Sequence, residues 1–208
     1  MATPTRTGKL SLLEPRQSAK VLLLLPFFIA VVAFGIRIQG TDWDSGNFFH
    51  PDERSIYMRA DCMHRVLTES PGWQSCQNRD FPEDDSGFPS LAVALDKDRS
   101  PLNPHWFPLG TVVIYFLVVA KFVLEPLTGH LGLQDLASIA RTTAALADSA
   151  SVLLLFFLGK RLFGNATGLL ASVFLALSVI NIQVTHFYRP ESFVVLLALA
   201  AFWWMINA

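Results

Sequence analysis

Two short acidic stretches of this chain carry residue types that can do chemistry. His50-Pro51-Asp52-Glu53-Arg54 follows the first long apolar run, and His186-Phe187-Tyr188-Arg189-Pro190-Glu191 follows a later one. Carboxylates beside a bilayer cost free energy unless a cation or a proton-transfer task compensates them. The two stretches therefore predict chemistry at a membrane surface.

The first stretch offers an adjacent pair of carboxylates and a histidine. Asp52 or Glu53 could accept a proton or hold a metal ion. The alternative is a structural role, because carboxylates at the start of a helix are stabilised by the helix dipole. His50 could bind a metal ion or a phosphate group through its imidazole, and its alternative is that of an ordinary loop histidine.

The second stretch offers a base, a cation and an acid in His186, Arg189 and Glu191. An arginine with a carboxylate at a membrane edge can also serve only as an anchor. His105 lies in the turn Asn103-Pro104-His105-Trp106, which predicts either a substrate contact or simply a turn with an interfacial tryptophan.

Two further ionisable residues, Arg141 and Asp148, lie seven positions apart and so share one helix face. Arg141, near the outer surface, could meet an anionic phosphate group. Asp148 is the residue placed clearly inside a span. Ionisable residues inside a membrane are functional suspects, but for Asp148 we favour a polar clamp between helices.

The composition is that of a membrane protein. Of 208 residues, 52% are hydrophobic and 16% charged, the mean hydropathy is +0.41, and the apolar residues come in long runs. Residues 1–20 carry four basic residues against one acidic one, whereas residues 40–105 carry twelve acidic residues against six basic ones. By the positive-inside rule the N-terminus is cytoplasmic and the acidic loop faces out.

The apolar runs set the topology. They cover residues 21–38, 107–124, 142–158, 167–184 and 192–207. If all five span, Lys160 and Arg161 lie outside and the two acidic stretches lie on opposite faces. If the run over 107–124 lies along the outer surface instead, both problems disappear, and its prolines and charges suit an interfacial helix. We predict four spans and one juxtamembrane helix, with five spans as the alternative.

The fold class predicted is an all-α polytopic membrane protein. It comprises a cytoplasmic tail over 1–20, a retained anchor over 21–38, an extracytoplasmic loop over 39–105, a juxtamembrane helix over 106–126 and three further spans within 139–208. Inside the loop, residues 52–66 form an amphipathic helix with Ile56, Met63 and Val66 on its apolar face. The chain ends within an apolar run, so we expect it to be part of a longer protein.

The two cysteines, Cys62 and Cys76, both fall in the outward loop. An exported loop permits a disulfide between them, and the alternative is two free thiols. The chain has no nucleotide-binding glycine loop and no metal-finger spacing, and no nucleic-acid partner is expected.

Four sequence blocks in this order resemble a known family. They are HPDER at 50–54, NPHWFPLGTVVIYF at 103–116, RTTAALADSASVLLLFFLGKRLFG at 141–164 and GLLASVFLALSVINIQVTHFYRPES at 168–192. They resemble the N-terminal part of integral-membrane glycosyltransferases of the C-type superfamily. The similarity is to the protein O-mannosyltransferase-like and aminoarabinose-transferase-like branches of bacteria.

The resemblance implies a polyprenyl-phosphate-linked sugar donor and a protein, lipid or glycan acceptor on the extracytoplasmic face of a bacterial inner membrane. An aspartate of the first loop is then the catalytic base, and Asp52 matches it, with Glu53 beside it. Glu191 matches a second acidic position where relatives often carry aspartate. Arg141, Arg189 and the histidines are the expected phosphate contacts. A divalent metal at Asp52 or Glu191 is left open, because metal dependence varies among relatives.

Two other functions compete with the transferase. A non-catalytic membrane module could retain the fold for assembly or binding. A polytopic transporter would show polar residues lining several spans and helices broken at mid-membrane.

Overall fold

The computed structural model describes residues 15–68, 90–97, 100, 102–104 and 106–208. These residues form helices and connecting turns, with no β-strand among them. The helices are α1 (Pro15–Ile38), α2 (Pro51–Thr68), α3 (Leu91–Ala94), α4 (Val112–Thr128), α5 (Leu133–Phe163), α6 (Asn165–Ala176), α7 (Val179–Thr185) and α8 (Glu191–Asn207). The predicted all-α membrane fold is confirmed.

Helix α5 is the central element. At 31 residues it is about 46 Å long, and it packs most extensively against α6, α8 and α1. Its first turns carry Arg141 and its last turn carries Lys160 and Arg161. One continuous helix therefore connects the region around Arg141 with the region around Lys160 and Arg161.

By length and composition, α5 is the described helix that can cross a membrane alone. The bent pair formed by α6 and α7 passes the same test if it is counted as one broken span. The described part of α1, Leu24–Ile38, and α8 are shorter apolar helices. The predicted count of four spans stays a prediction.

The first-loop helix is confirmed. α2 covers the expected residues 52–66, and Ile56, Met63 and Val66 are buried. This apolar face packs against α4, and the shared core extends to the start of α5 and to Tyr188. The amphipathic pattern thus correctly indicated which side of α2 faces the protein.

The expected juxtamembrane helix begins at Val112 rather than at 106. Turns precede it, because Gly110 adopts a positive φ of 76° that ends any helical path through Pro108. Lys121, one of the charges of this apolar run, is fully buried, and its ammonium group contacts the carboxylates of Asp61 and Glu125. The ion pair between Lys121 and Asp61 fastens α4 to α2.

The apolar run over 167–184 was predicted as one span, and this stays a prediction, because the two helices that it forms have the length and composition of a span only when counted together. The chain forms α6 and α7, bent by 54° at a break between them. Ser178 adopts extended backbone there, and its hydroxyl donates to the side-chain oxygen of Asn181. No proline or glycine marks this break, and hydropathy alone cannot detect it.

Asp148 is the polar clamp that we expected. Its carboxylate contacts Arg37 Nε at 2.5 Å, with both side chains buried. Arg37 also donates to the carbonyls of Leu175 and Ala176 at the end of α6. The sequence analysis missed Arg37, which closes the first apolar run and is fully buried. This cation joins α1 and α5 and donates to carbonyls at the end of α6, next to the break.

Candidate functional site

The two acidic stretches meet in the structure. The buried carboxylate of Glu53 accepts a hydrogen bond from the backbone N–H of Tyr188 at 3.0 Å. The phenol of Tyr57 also donates to it, and the ring of Tyr57 stacks on that of Tyr188. The start of α2 and the loop before α8 therefore form one assembly.

Arg141 lies at the centre of this assembly. Its guanidinium donates to both oxygens of Glu53 at 2.8 Å, to both oxygens of Asp44 at 2.8 and 3.1 Å, and to the carbonyl of Thr41 at 2.5 Å. It also lies over the ring of Trp43. All five N–H donors of the guanidinium are thereby engaged. Arg141 was predicted to contact a phosphate group, and in this structure its donors bind carboxylates instead.

Asp44 organises the loop between α1 and α2. Its carboxylate accepts hydrogen bonds from the N–H groups of Gly46 and Phe48 as well as from Arg141. Phe48 and Ser45 both have a positive φ, which side chains other than glycine rarely adopt. The hydrogen bonds from Arg141, together with its charge, hold the pKa of Asp44 below the ordinary 3.8 despite burial.

Of the adjacent carboxylates, Asp52 is the accessible one. It is partly exposed in the first turn of α2, and no described residue forms a hydrogen bond or ion pair with its carboxylate. Glu53 is fully buried and bonded on both oxygens. The same motif thus contains one structural carboxylate and one that is available for chemistry.

His50 lies where the two stretches touch. Its Nδ1 accepts a long hydrogen bond of 3.5 Å from the N–H of Glu53, and its ring contacts that of Phe187 with 4.8 Å between centroids. The other nitrogen has no described hydrogen bond. His50 therefore lies beside Asp52 along the chain and beside the second stretch in space.

His186 serves a different role from His50. Its two ring nitrogens lie 2.7 Å from the carbonyls of Ile182 and Gln39, and its own carbonyl accepts from Trp43 Nε1. His186 ties the end of α7 to the end of α1.

Arg189 and Glu191 pair with each other, at 2.5 Å between Nη2 and Oε1. Both side chains are partly exposed, and two of their atoms, Arg189 Nε and Glu191 Oε2, have no hydrogen-bond partner among the described residues. Both atoms are buried, so this donor and this acceptor are not accessible to a ligand in this structure. The predicted His105 lies outside the described residues.

The possible metal site at Asp52 or Glu191 stays a prediction. Among the described residues, no group of three or more histidine, cysteine, aspartate or glutamate side chains is arranged to hold a metal ion. Asp52 has no described neighbour of this kind in contact, and Glu191 is paired with a cation. We therefore route no chemical step through a metal.

The prediction of a disulfide in the first loop can be examined at Cys62. Cys62, on α2, is disulfide-bonded. Cys76, the other cysteine of the chain, lies outside the described residues.

Sequence reasoning missed several residues of the assembly, namely Thr41, Trp43, Asp44, Tyr57 and Tyr188. Tyr188 lies inside a stretch that was singled out, yet its contribution is a backbone N–H, which side-chain type cannot reveal. Burial raises the pKa of the Tyr188 phenol. Asp44 could have been noticed as an acid close to the first apolar run, where burial requires a cation.

One comparison with protein families found a match to part of the chain. Residues 131–208 match the model of the dolichyl-phosphate-mannose-protein mannosyltransferase family. This confirms the resemblance to membrane glycosyltransferases over less than half of the chain, from just before α5 to the end of α8. Arg141, His186, Arg189 and Glu191 lie within the match, whereas His50, Asp52 and Glu53 lie before it. Searches of curated proteins and of solved structures found no match.

Proposed function

We propose that this protein is a membrane glycosyltransferase that moves a sugar from a polyprenyl-phosphate-linked donor to an acceptor hydroxyl on the extracytoplasmic face, with Asp52 as the base. One observation carries the proposal. Arg141, Tyr57 and Tyr188 engage Glu53 completely and leave Asp52 available, at the place where the two acidic stretches meet. The matched mannosyltransferase family supports the reaction class.

The reaction needs a base and a cation. Asp52 accepts the proton of the acceptor hydroxyl as its oxygen attacks the anomeric carbon of the donor sugar. The bond from that carbon to the phosphate oxygen breaks, and polyprenyl phosphate leaves with the electron pair. A cation near the phosphate stabilises the charge that develops there.

The candidate cations differ in how far their hydrogen-bond donors are already engaged. Arg141 has all donors engaged and two carboxylates as counter-ions. Arg189 is partly exposed, and the described partner of its guanidinium is the carboxylate of Glu191. His50 keeps a ring nitrogen without a described hydrogen bond. We assign the phosphate contact to Arg189 and His50, and a structural role to Arg141.

One observation bears on the transporter alternative. The bent pair α6–α7 is the broken helix that a transporter would show. However, the carbonyls of Leu175 and Ala176 at the break are bonded by Arg37, and the charge of Arg37 is compensated by Asp148. These polar groups at the break are therefore bonded within the protein, and we favour the transferase over the transporter.

The test is sugar transfer from a radiolabelled polyprenyl-phosphate sugar in membranes that contain the full-length gene product. We expect Asp52→Asn to reduce transfer by about a hundredfold or more, the scale of losing a general base, while the protein stays folded in the membrane. Equal transfer by wild type and Asp52→Asn would remove Asp52 from catalysis. No transfer by either protein across several donors would favour the non-catalytic module.

A further inference from the structure

A cavity of about 390 Å³ is lined in part by Arg141. It is enclosed by the loop between α1 and α2 on one side and by the first turns of α5 on the other. Its volume falls in the range of small-molecule sites. Neither Asp52 nor Glu191 lines it, so it is not the base site described above.

The inner wall of the cavity is preorganised. Arg141 and Asp44, each 2% exposed, form it together with the backbone of the loop. The donors of Arg141 are all engaged, and both oxygens of Asp44 accept two hydrogen bonds each. An incoming ligand would therefore not displace these bonds, and must be held by the outer part of the cavity.

The outer part offers mainly hydrogen-bond acceptors. Asp42 has an exposed carboxylate with no described partner. Ser138 donates its hydroxyl proton to the carbonyl of Gln134, which leaves the hydroxyl oxygen to accept. Asp135 accepts from the N–H of Gly132 through one oxygen only. A ligand that fits must bring several donors.

The net charge of the residues that line the cavity determines which ligands it favours. Three carboxylates, Asp42, Asp44 and Asp135, face one guanidinium, that of Arg141. A phosphate group would meet net negative charge and donors that are already engaged, so it is disfavoured. A sugar supplies several hydroxyl donors without charge, whereas a single serine or threonine hydroxyl of a protein acceptor supplies only one.

We propose that this cavity binds a sugar ring, the hydroxyl-rich part of the acceptor. The assignment to the acceptor rests on the proposed transferase function. It fits the position, because Arg141 forms the cavity wall and also holds Glu53, the residue next to Asp52. The donor phosphate, by contrast, belongs near Arg189.

The test is binding of a neutral methyl hexoside to the full-length protein in nanodiscs, measured by saturation-transfer NMR. Ser138→Trp places an indole in the cavity, and we expect it to weaken binding by about tenfold or more, which corresponds to about 1.4 kcal/mol. Thr128→Trp is the matched control. Both hydroxyls are exposed and bond a carbonyl of their own helix, but Thr128 lies outside the cavity.

Asp42→Asn is the second variant. Asp42 is an exposed loop residue, so we expect this substitution to leave folding intact even if Ser138→Trp does not. We expect it to weaken glycoside binding severalfold, since an amide replaces an acceptor oxygen with a donor. Inorganic phosphate should not compete.

Glycoside binding that both variants leave unchanged would overturn the proposal, as would displacement of the glycoside by a serine-containing peptide or the absence of any binding. These outcomes do not depend on transfer. Glycoside binding without sugar transfer would support the cavity as a sugar site and count against the proposed function alone.

Discussion

At the scale of single residues, the most informative contrast is between Asp52 and Glu53. The two are neighbours in sequence, yet one is partly exposed and unbonded while the other is fully buried and bonded by Arg141, Tyr57 and the backbone of Tyr188. Burial explains the division of roles. A carboxylate held on every side cannot approach a substrate, and one without partners contributes little to stability.

We therefore expect Glu53→Gln to destabilise the protein and Asp52→Asn to leave its stability nearly unchanged. Removing the charge of Glu53 leaves a buried guanidinium partly uncompensated, which typically costs about 3 kcal/mol or more. The measurement is the melting temperature of each variant in detergent or nanodiscs. Similar melting temperatures for the two variants would contradict the structural role of Glu53.

The paired loop carboxylate Asp44 predicts a pH dependence. Its pKa is lowered by the hydrogen bonds and the charge of Arg141, below the ordinary 3.8. A lowered pKa means that the pair stabilises the folded state above that ordinary value, and that this contribution is lost as pH falls through the folded pKa. Melting temperatures of wild type and Asp44→Asn should thus differ near pH 7 and converge as the pH falls below the folded pKa of Asp44. A constant difference across this range would show that Asp44 does not act through its charge.

At the scale of elements, the short helix α7 is held at both ends by hydrogen bonds to other parts of the protein. Its beginning is held through Asn181, which donates to Asp148, and its end through His186, which contacts the carbonyl of Gln39. The bend before α7 directs the chain toward the second acidic stretch, where the N–H of Tyr188 reaches Glu53. The ion pair of Arg37 and Asp148 therefore supports the site from a distance.

We expect Asp148→Asn to loosen α7. The substitution leaves the buried Arg37 without its counter-ion, and a truncated buried pair typically costs about 3 kcal/mol or more. Hydrogen exchange of the amides over 179–188 should become faster, while that of α2 changes little. The matched control is Arg161→Gln, which removes a charge from the exposed far end of α5. Unchanged exchange in α7 would show that Asp148 does not hold it.

At the scale of the whole molecule, the two acidic stretches lie at one end of α5 and the basic dipeptide Lys160-Arg161 lies at the other. This arrangement is the one that the four-span topology requires. Where all five apolar runs cross the membrane, the acidic stretches would lie on opposite faces, and Glu53 could not accept a hydrogen bond from Tyr188.

A labelling experiment checks the orientation of the whole chain. We expect a membrane-impermeant maleimide added from the extracytoplasmic side to label Ser90→Cys but not Arg161→Cys, because both positions are exposed and the four-span topology predicts that they lie on opposite sides of the membrane. The parent protein without either substitution measures the background from the native cysteines. Labelling of Arg161→Cys from the outside would favour the five-span topology.

The sequence by itself determined the helical membrane fold, the surface helix in the first loop and the two acidic stretches, because these follow from local patterns of apolar and charged residues. It also indicated Asp148 as a clamp, since a charge among apolar residues must find a partner. The partner itself, Arg37, lies 111 positions away and could not be read from spacing.

Only the tertiary structure decided which carboxylate is available and where the chain bends. Glu53 is held by residues 88 and 135 positions away, and the break between α6 and α7 is stabilised by Arg37 on α1. These features depend on contacts between distant segments. Hydropathy and local propensity describe each segment alone. They therefore cannot show that Asp52 is accessible while Glu53 is buried, or that an apolar run is bent rather than straight.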